Sequence, residues 1–287
     1  MMRHFIAAPI LVLLAAPLFA AISDIDLVIP IAGHGHQTGG RVYDTTLWIT
    51  NPGDAPAKVT LQFLQASQSN PSPHHLDFAL GPGVTRVFDP IASEVLGANE
   101  GVGGIRIRSD HNLLASARTL SRLESESVAR AIATTFNAVP ARFAIGNGQT
   151  AIAQGLTLAN DATERYRLYV VETAGQSLTY VIGIIDTKGK TLTQKAFYIA
   201  PNEERVVDVG DEFPNVRVDH AVVRVRGVNG SGRLIFAGAQ IARESQDSNS
   251  FEMSFVNEPR VRIPMTEAIV YVAVALAIVI AALFYRR

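Results

Sequence analysis

Cysteine is absent from all 287 residues. Disulfides, thiol nucleophiles and cysteine-ligated metals are thereby excluded. Charge of one sign is missing as well. Lys and Arg number 25 and Asp and Glu 26, giving a formal net charge of -1 with no long run of like charge. The electrostatic footprint of a nucleic-acid binder is not there, so no nucleic-acid partner is expected. One Trp and seven Tyr are too few for a sugar platform built from many exposed aromatics. Helical periodicity is scarce between the two ends. Only Pro90–Leu96 and Glu124–Ala133 read as helical patches there.

The ends are different. "MMRHFIAAPILVLLAAPLFAAISD" has a short basic start at Arg3 and His4, an uncharged apolar stretch from Phe5 to Phe19, and small residues at Ala20 and Ala21. This is the layout of a secretory signal, residues 1–20. Pro9 and Pro17 argue against a long buried helix. Leu18 at the third position before the cut is not ideal, which leaves the cleaved bond open.

"MTEAIVYVAVALAIVIAALFYRR" carries no charge, Pro or Gly from Ala268 to Tyr285. The span 265–285 is long enough to cross about 30 Å of hydrocarbon as a helix. Arg260 and Arg262 precede it and Arg286 and Arg287 follow it, so the local basic count is a tie. An exported chain stopped by its last helix leaves the middle outside the cytoplasmic membrane. An uncleaved leader would give a two-helix hairpin with the same part outside. Ala273, Ala277 and Ala281 recur every four residues and form one stripe of that helix. Two readings stand for the stripe: a close helix-packing interface, or ordinary membrane alanines.

The middle reads as short alternating strands punctuated by Gly, Pro, Asn and Asp. The first set is Leu27–Ile31, Thr45–Thr50, Ala57–Leu64, His75–Leu80, Thr85–Phe88, Gly104–Arg108 and Leu113–Leu120. The second is Arg167–Glu172, Leu178–Asp186, Leu192–Ile199, Glu204–Val209, Ala221–Arg226 and Arg233–Ala242. The two sets match in order. "LWITNPGDAPAKVTLQFL" from Leu47 matches "LYVVETAGQSLTYVIGII" from Leu168, "FALGPGVTRVFD" matches "FYIAPNEERVVD", and "GGIRIR" matches "AVVRVR". "LLASAR" matches "IFAGAQ", and "VIPIAG" from Val28 is matched with "AVPARF" from Ala138. Such a repeat predicts two copies of one antiparallel sandwich, residues 22–134 and 135–260. Leu47, Ile49, Val59, Leu61 and Phe63 are expected to face a core, Thr46, Thr50, Thr60 and Gln62 the other side. Asn51 to Asp54 makes the turn.

"TTLWITNPGDAPAKVTLQFL", "LGPGVTRVFDPI", "GGIRIRS" and "LLASARTL" resemble the tandem immunoglobulin-like β-sandwich modules of bacterial secreted and envelope proteins. The second copy is looser and has lost Asn-Pro-Gly. The resemblance implies an all-β fold of two such sandwiches, here followed by one transmembrane helix. It implies no catalytic residues.

Chemistry-bearing groups are few. His34 and His36 point the same way on a strand and could share a metal. Solvated loop histidines are the bland reading, with His74-His75 the other cluster. No acid lies close in sequence to complete a ligand set, so no metal or cofactor is expected. "GHGHQTGG" and "GANEGVGG" lack the ending and setting of a phosphate loop. Ser116, Ser121, Ser125 and Ser127 show no nucleophile elbow. The acid pairs Glu203-Glu204 and Asp211-Glu212 read as turns. Arg106, Arg108, Arg224 and Arg226 alternate in matching strands, either as solvated charge or as a docking face for an acidic partner. The expected role is non-catalytic: a structural or accessory subunit of a membrane complex, partnered by membrane or envelope proteins. A surface adhesion or polysaccharide-binding module is the alternative.

Overall fold

The computed structural model describes residues 22–37, 40–91, 93–127, 131–158, 164–242 and 248–255. The candidate leader, the apolar segment 265–285 and with it Ala273, Ala277 and Ala281 lie outside the described residues. Among those described, no helix is long and apolar enough to cross a membrane.

The fold is all-β. The first half runs β1 (Asp24–Gln37), β2 (Arg41–Thr50), β3 (Ala57–Gln65), β4 (His74–Leu80), β5 (Thr85–Phe88), a one-turn helix α1 (Ser93–Leu96), β6 (Gly101–Leu123), β7 (Ile132–Asn137) and β8 (Val139–Pro140). These strands form a sandwich whose layers are bonded to each other. One layer is β4-β3-β6-β1-β8 and the other β5-β2-β6-β7. β6 serves both, pairing β3 through Gly103–Ser109 and β2 through Leu114–Leu123. β1 turns the same corner. Asp26–Ile29 pair with β6, and His34–Gln37 pair with β2. The register shifts between Ile29 and Ala32, where Pro30 has no N–H to give a ladder.

The second half runs β9 (Thr150–Leu158), β10 (Glu164–Glu172), β11 (Leu178–Ile185), β12 (Thr191–Ile199), β13 (Glu204–Asp208), a one-turn helix α2 (Val209–Glu212), β14 (Val218–Gly230), β15 (Leu234–Ala242), β16 (Ser248–Glu252) and β17 (Ser254–Phe255). Its sheets are β12-β11-β14-β9-β17 and β13-β10-β15-β16. Strand for strand this is the order of the first sandwich. β14 and β15 stand for the two halves of β6, and α2 stands for α1. The match of Val28 with Ala138 fails. Val139 and Pro140 pair with Val28 and Leu27 as β8, and β9 takes the place of β1. The weak, Ala-rich "TAIAQGLTL" hides that strand. The helix expected over Glu124–Ala133 also fails. Glu124 and Ser125 form a turn, and Ile132 begins β7. Residues 128–130 lie outside those described, and Ile132 and Ala133 pair with Ser121 and Leu120 of β6, where tertiary pairing overrides local propensity.

Each sandwich has its own core. Leu47, Ile49, Val59, Leu61 and Phe63 are buried in the first, with Leu27, Ile105 and Ile107. Tyr166, Leu168, Val170, Tyr180, Ile182 and Val223 fill the second. Thr46 departs from the expected outward pattern, being buried with its hydroxyl donating to Asp89 Oδ1 at 2.6 Å.

The matched turn after β2 and β10 uses different chemistry in the two copies. Asn51 is buried; its Nδ2 donates to the carbonyls of Ala55 and Leu80, and its Oδ1 accepts from Gly53 N. Glu172 stands in the same place with no exposed surface. Its Oε1 accepts from Ala174 N and Arg233 N, and its Oε2 from Gly175 N, Gln176 N and Asn202 N. The opposing turn also matches. Gly83 at φ 67° and Asn202 at φ 53° are both left-handed, a backbone that Gly and Asn tolerate best.

Candidate functional site

Several buried polar residues, among them Asn70, Arg106, Thr173 and Glu204, meet at the junction of the two sandwiches. The second sandwich packs on the outer face of the β3-β6-β1 layer. Val28, Leu64 and Val139 from the first half join the core of the second. A smaller apolar cluster, Ile31 and Phe136 against Tyr169, Ala237, Ala239 and Ile241, continues the contact. Gly104 lets the layers approach, since a Cβ there would lie 3.1 Å from Val171 Cγ2.

Polar ties surround this contact. Arg106 is buried, giving Nε and Nη2 to the two carboxylate oxygens of Asp26 at 2.9 and 2.7 Å and Nη1 to Thr173 O at 2.5 Å. It is a strap between the sandwiches rather than part of a solvated stripe. Arg108 lies 3.9 Å from Asp26 and is half exposed, and Arg224 reaches Thr191 at the surface. Asn70 donates to Asn202 O, and Asn202 donates back to Asn70 O. Ser67 N donates to Glu204 O, where Ala66 and Glu204 form an isolated parallel bridge.

Glu204 corrects the reading of Glu203-Glu204 as a simple turn. Glu203 ends the turn, its Oε2 accepting from Ala200 N. Glu204 opens β13 and is fully buried. Neither of its carboxylate oxygens has a hydrogen-bond partner among the described residues. Burial first, and then the neighbouring Glu203 charge, push its pKa well above the ordinary carboxylate value. Asp211 and Glu212 lie in α2 rather than a turn, Glu212 taking a bond from Lys195 Nζ at 2.6 Å.

The histidines find the acids that proximity in sequence did not offer. His34 Nδ1 meets Asp44 Oδ1 across the β1–β2 hairpin, and His36 Nδ1 meets Glu100 Oε1, each at 2.6 Å. Glu124 lies 3.8 Å from the other ring nitrogen of His36. Each ring thus has its own carboxylate. Among the described residues no group of three or more such side chains is arranged to hold a metal ion. His74 bonds the carbonyl of Glu94. Ser121 accepts from Arg41 Nε, and Ser116 sits in the β6–β7 ladder opposite Asn137.

The bond from Glu100, with its charge and that of Glu124, raises the pKa of His36. The same bond lowers that of Glu100. The ion pair is therefore complete below about pH 6.5, down to the lowered value of Glu100. It is lost as pH rises through the raised value of His36. In an NMR titration the His36 imidazole is expected to give a midpoint above that of an ordinary histidine, and Glu100→Gln to bring it back toward the ordinary value. An unchanged midpoint in the variant would refute the pairing.

Beside the apolar part of the junction is a cleft of about 130 Å³. Arg165, Arg167 and Tyr169 of β10 line one wall, and Tyr43, Thr119 and Ser121 of the first sandwich the other. Burial raises the pKa of both tyrosines. Sequence reading missed this cleft because β10 there carries arginine on its outward face, which looks like ordinary surface.

No family model matches the chain, and no curated protein matches it. Among solved structures, Thermotoga maritima 1070 is 16% identical over 40% of this chain and 91% of that one, with a TM-score of 0.31. A Bacteroides uniformis β-glucuronidase is 8% identical over 78% of this chain and 26% of its own, with a TM-score of 0.14. A β-glucuronidase from glycoside hydrolase family 2 is 11% identical over 77% and 24%, with a TM-score of 0.15. Superpositions this distant transfer no activity to this chain.

The junction gives a direct test. Gly104→Val suits a strand by propensity, yet it drives a branched side chain at Val171. The expected cost is about 1–3 kcal/mol, taken at the junction where Val171 closes the second core. Calorimetry should resolve two unfolding transitions in the variant. The converse change, Val222→Gly at the matching place in the second copy, should cost only about 0.5–1 kcal/mol and leave the cooperativity of the parent intact.

Proposed function

We propose that this chain is a non-catalytic envelope protein: two tandem immunoglobulin-like sandwiches exported by a leader (1–20) and held at the cytoplasmic membrane by a single C-terminal helix (265–285). In this reading the folded part, the two sandwiches within 22–260 with β7 and β8 in the first, is extracytoplasmic and acts as a scaffold or accessory subunit of a membrane complex. The observation that carries it is the junction. Arg106, Asp26, Asn70 and Asn202 are spent on fixing one sandwich against the other. A rigid two-module body suits a spacer that must present a partner at a fixed distance from a membrane. The apolar C-terminal segment and the leader, a basic start followed by the uncharged stretch from Phe5 to Phe19, support the location.

Affinity capture of the full chain from gently solubilised membranes tests the role. A stoichiometric membrane partner is expected. Retention on cell-wall glycans with no such partner would favour the adhesion or polysaccharide-binding reading instead. Protease added to spheroplasts should digest the region from Ser23 to Pro264, and protection there would overturn the location. Within the tether, Ala277→Ile adds bulk on the Ala273–Ala277–Ala281 stripe at constant hydrophobicity. Loss of the partner in that variant, but not in Val279→Ile, would make the stripe the contact. Equal behaviour would make the helix only an anchor.

A further inference from the structure

The cleft at the junction is built unlike the contact beside it. The outward face of β10 must bury itself on the first sandwich, and at Tyr169 it does so with apolar surface. Two residues earlier, Arg167 projects to the same side of the strand, since alternate residues share a face. Its guanidinium is partly covered, with side-chain exposure of 30%. Its Nε is shut off from water and has no hydrogen-bond partner among the described residues, the carboxylate of Asp208 standing 3.9 Å away. That edge of the guanidinium is thus ion-paired to Asp208 within the chain, while Arg167 as a whole still lines the cleft. Across the cleft, Ser121 Oγ accepts from Arg41 Nε, which leaves its hydroxyl proton to give. Arg167 and Ser121 share a space that Arg165, Thr119, Thr134 and Ser248 also line, with Ile31, Val102 and Val206 as its apolar wall.

The size selects among anions. A cavity of about 150 Å³ accepts benzene, so this one suits a compact body of similar bulk. Phosphate and sulfate, polar on every side, would leave the apolar wall without a contact. A carboxylate on a short apolar body uses every part of the site. Its two oxygens accept from Arg167 and Ser121 while the body covers the aliphatic wall. Clefts between packed modules are frequent ligand sites.

We infer that this cleft binds a small free organic carboxylate, with its charge on Arg167 and Ser121 and its apolar body against Ile31, Val102 and Val206. Binding joins residues of both sandwiches and so stiffens the junction.

Butyrate is the probe, and butyramide, equal in shape but uncharged, is its comparator. Sulfate at the same ionic strength controls for a general salt effect. With the full chain in detergent, butyrate should raise the unfolding midpoint in a saturable manner and shift the Arg167 Nε–H NMR signal. Butyramide and sulfate should do neither. Ser121→Ala and Arg167→Gln should each weaken butyrate binding by about tenfold or more. The inference is overturned if butyrate and butyramide act alike, if sulfate reproduces the effect, or if Arg167→Gln binds butyrate as the parent does. Should Arg167→Gln not fold, the NMR titration of the parent together with Ser121→Ala decides in the same way.

Discussion

Glu172→Gln is expected to lower the unfolding free energy by about 3 kcal/mol or more, read from urea midpoints. The Glu172 carboxylate accepts from five backbone N–H groups, two at Oε1 and three at Oε2. A glutamine amide has one acceptor oxygen. Whichever way it turns, its NH₂ faces at least two N–H donors that it cannot satisfy. Each buried donor left unmade costs about 1–3 kcal/mol, against a total stability of about 5–15 kcal/mol for a folded domain. Three segments lose their fastening together: the turn at Ala174–Gln176, Asn202 opposite it, and Arg233 at the start of β15. The matched change in the first copy, Asn51→Asp, should fail for the opposite reason. It removes the two N–H donors that hold the carbonyls of Ala55 and Leu80 and sets a charge against both. A loss below about 1 kcal/mol for Glu172→Gln would show that backbone movement or water replaces those bonds.

Glu204→Met is expected to stabilise the protein at alkaline pH. In the folded chain the Glu204 pKa stands well above the ordinary value, so the folded state holds a proton that the unfolded state has released. Stability then falls as pH rises from the unfolded value, near 4.3, toward the raised folded value. The fall is about 1.4 kcal/mol per pH unit. Below that window Glu204 is neutral in both states and adds no slope. Methionine keeps the length of the side chain, has no charge to lose and leaves no polar oxygen buried without a partner. Urea midpoints measured at pH 5 and pH 8 should show a parent that weakens and a variant that weakens less. Parallel curves would mean that the Glu204 carboxylate reaches a hydrogen-bond donor, a cation or water when the junction breathes.

Much of the strand pattern was legible because half-buried sheets write their alternation into sequence. Leu47, Ile49, Val59, Leu61 and Phe63 are apolar for one reason, the core they line. The repeat was legible for the same reason, since both copies meet the same constraint at the same strands. What stayed hidden depends on surfaces that meet only after folding. Arg106 and Arg224 are indistinguishable in their strands. One is a buried strap and the other stands at the surface, because only the first has a sandwich lying on it. Glu204 looked like a turn acid because its cover comes from Ala66 and Ser67, far away in the chain. Asp44, Glu100 and Glu124 reach His34 and His36 through the β1–β2 hairpin and the two ends of β6, which no local window contains. β9 escaped notice because alanine carries little strand signal, and its pairing with β14 supplies what its composition does not.

Gly104 has a consequence for the length of the assembly. The face that receives the second sandwich is shaped by Gly104, Leu64 and Arg106. At the matching positions of the second sandwich stand Val222, Ile185 and Arg224, each partly exposed, with Arg224 reaching Thr191. Among the described residues the receiving surface occurs once and is filled from within. A head-to-tail contact that stays open at one end is the geometry from which fibres grow. Here the donor face has been used by its own neighbour, and the next acceptor face has a valine where the contact needs a glycine. Stacking by this contact therefore stops at two modules, and crowding many copies together on a surface does not extend it into a filament.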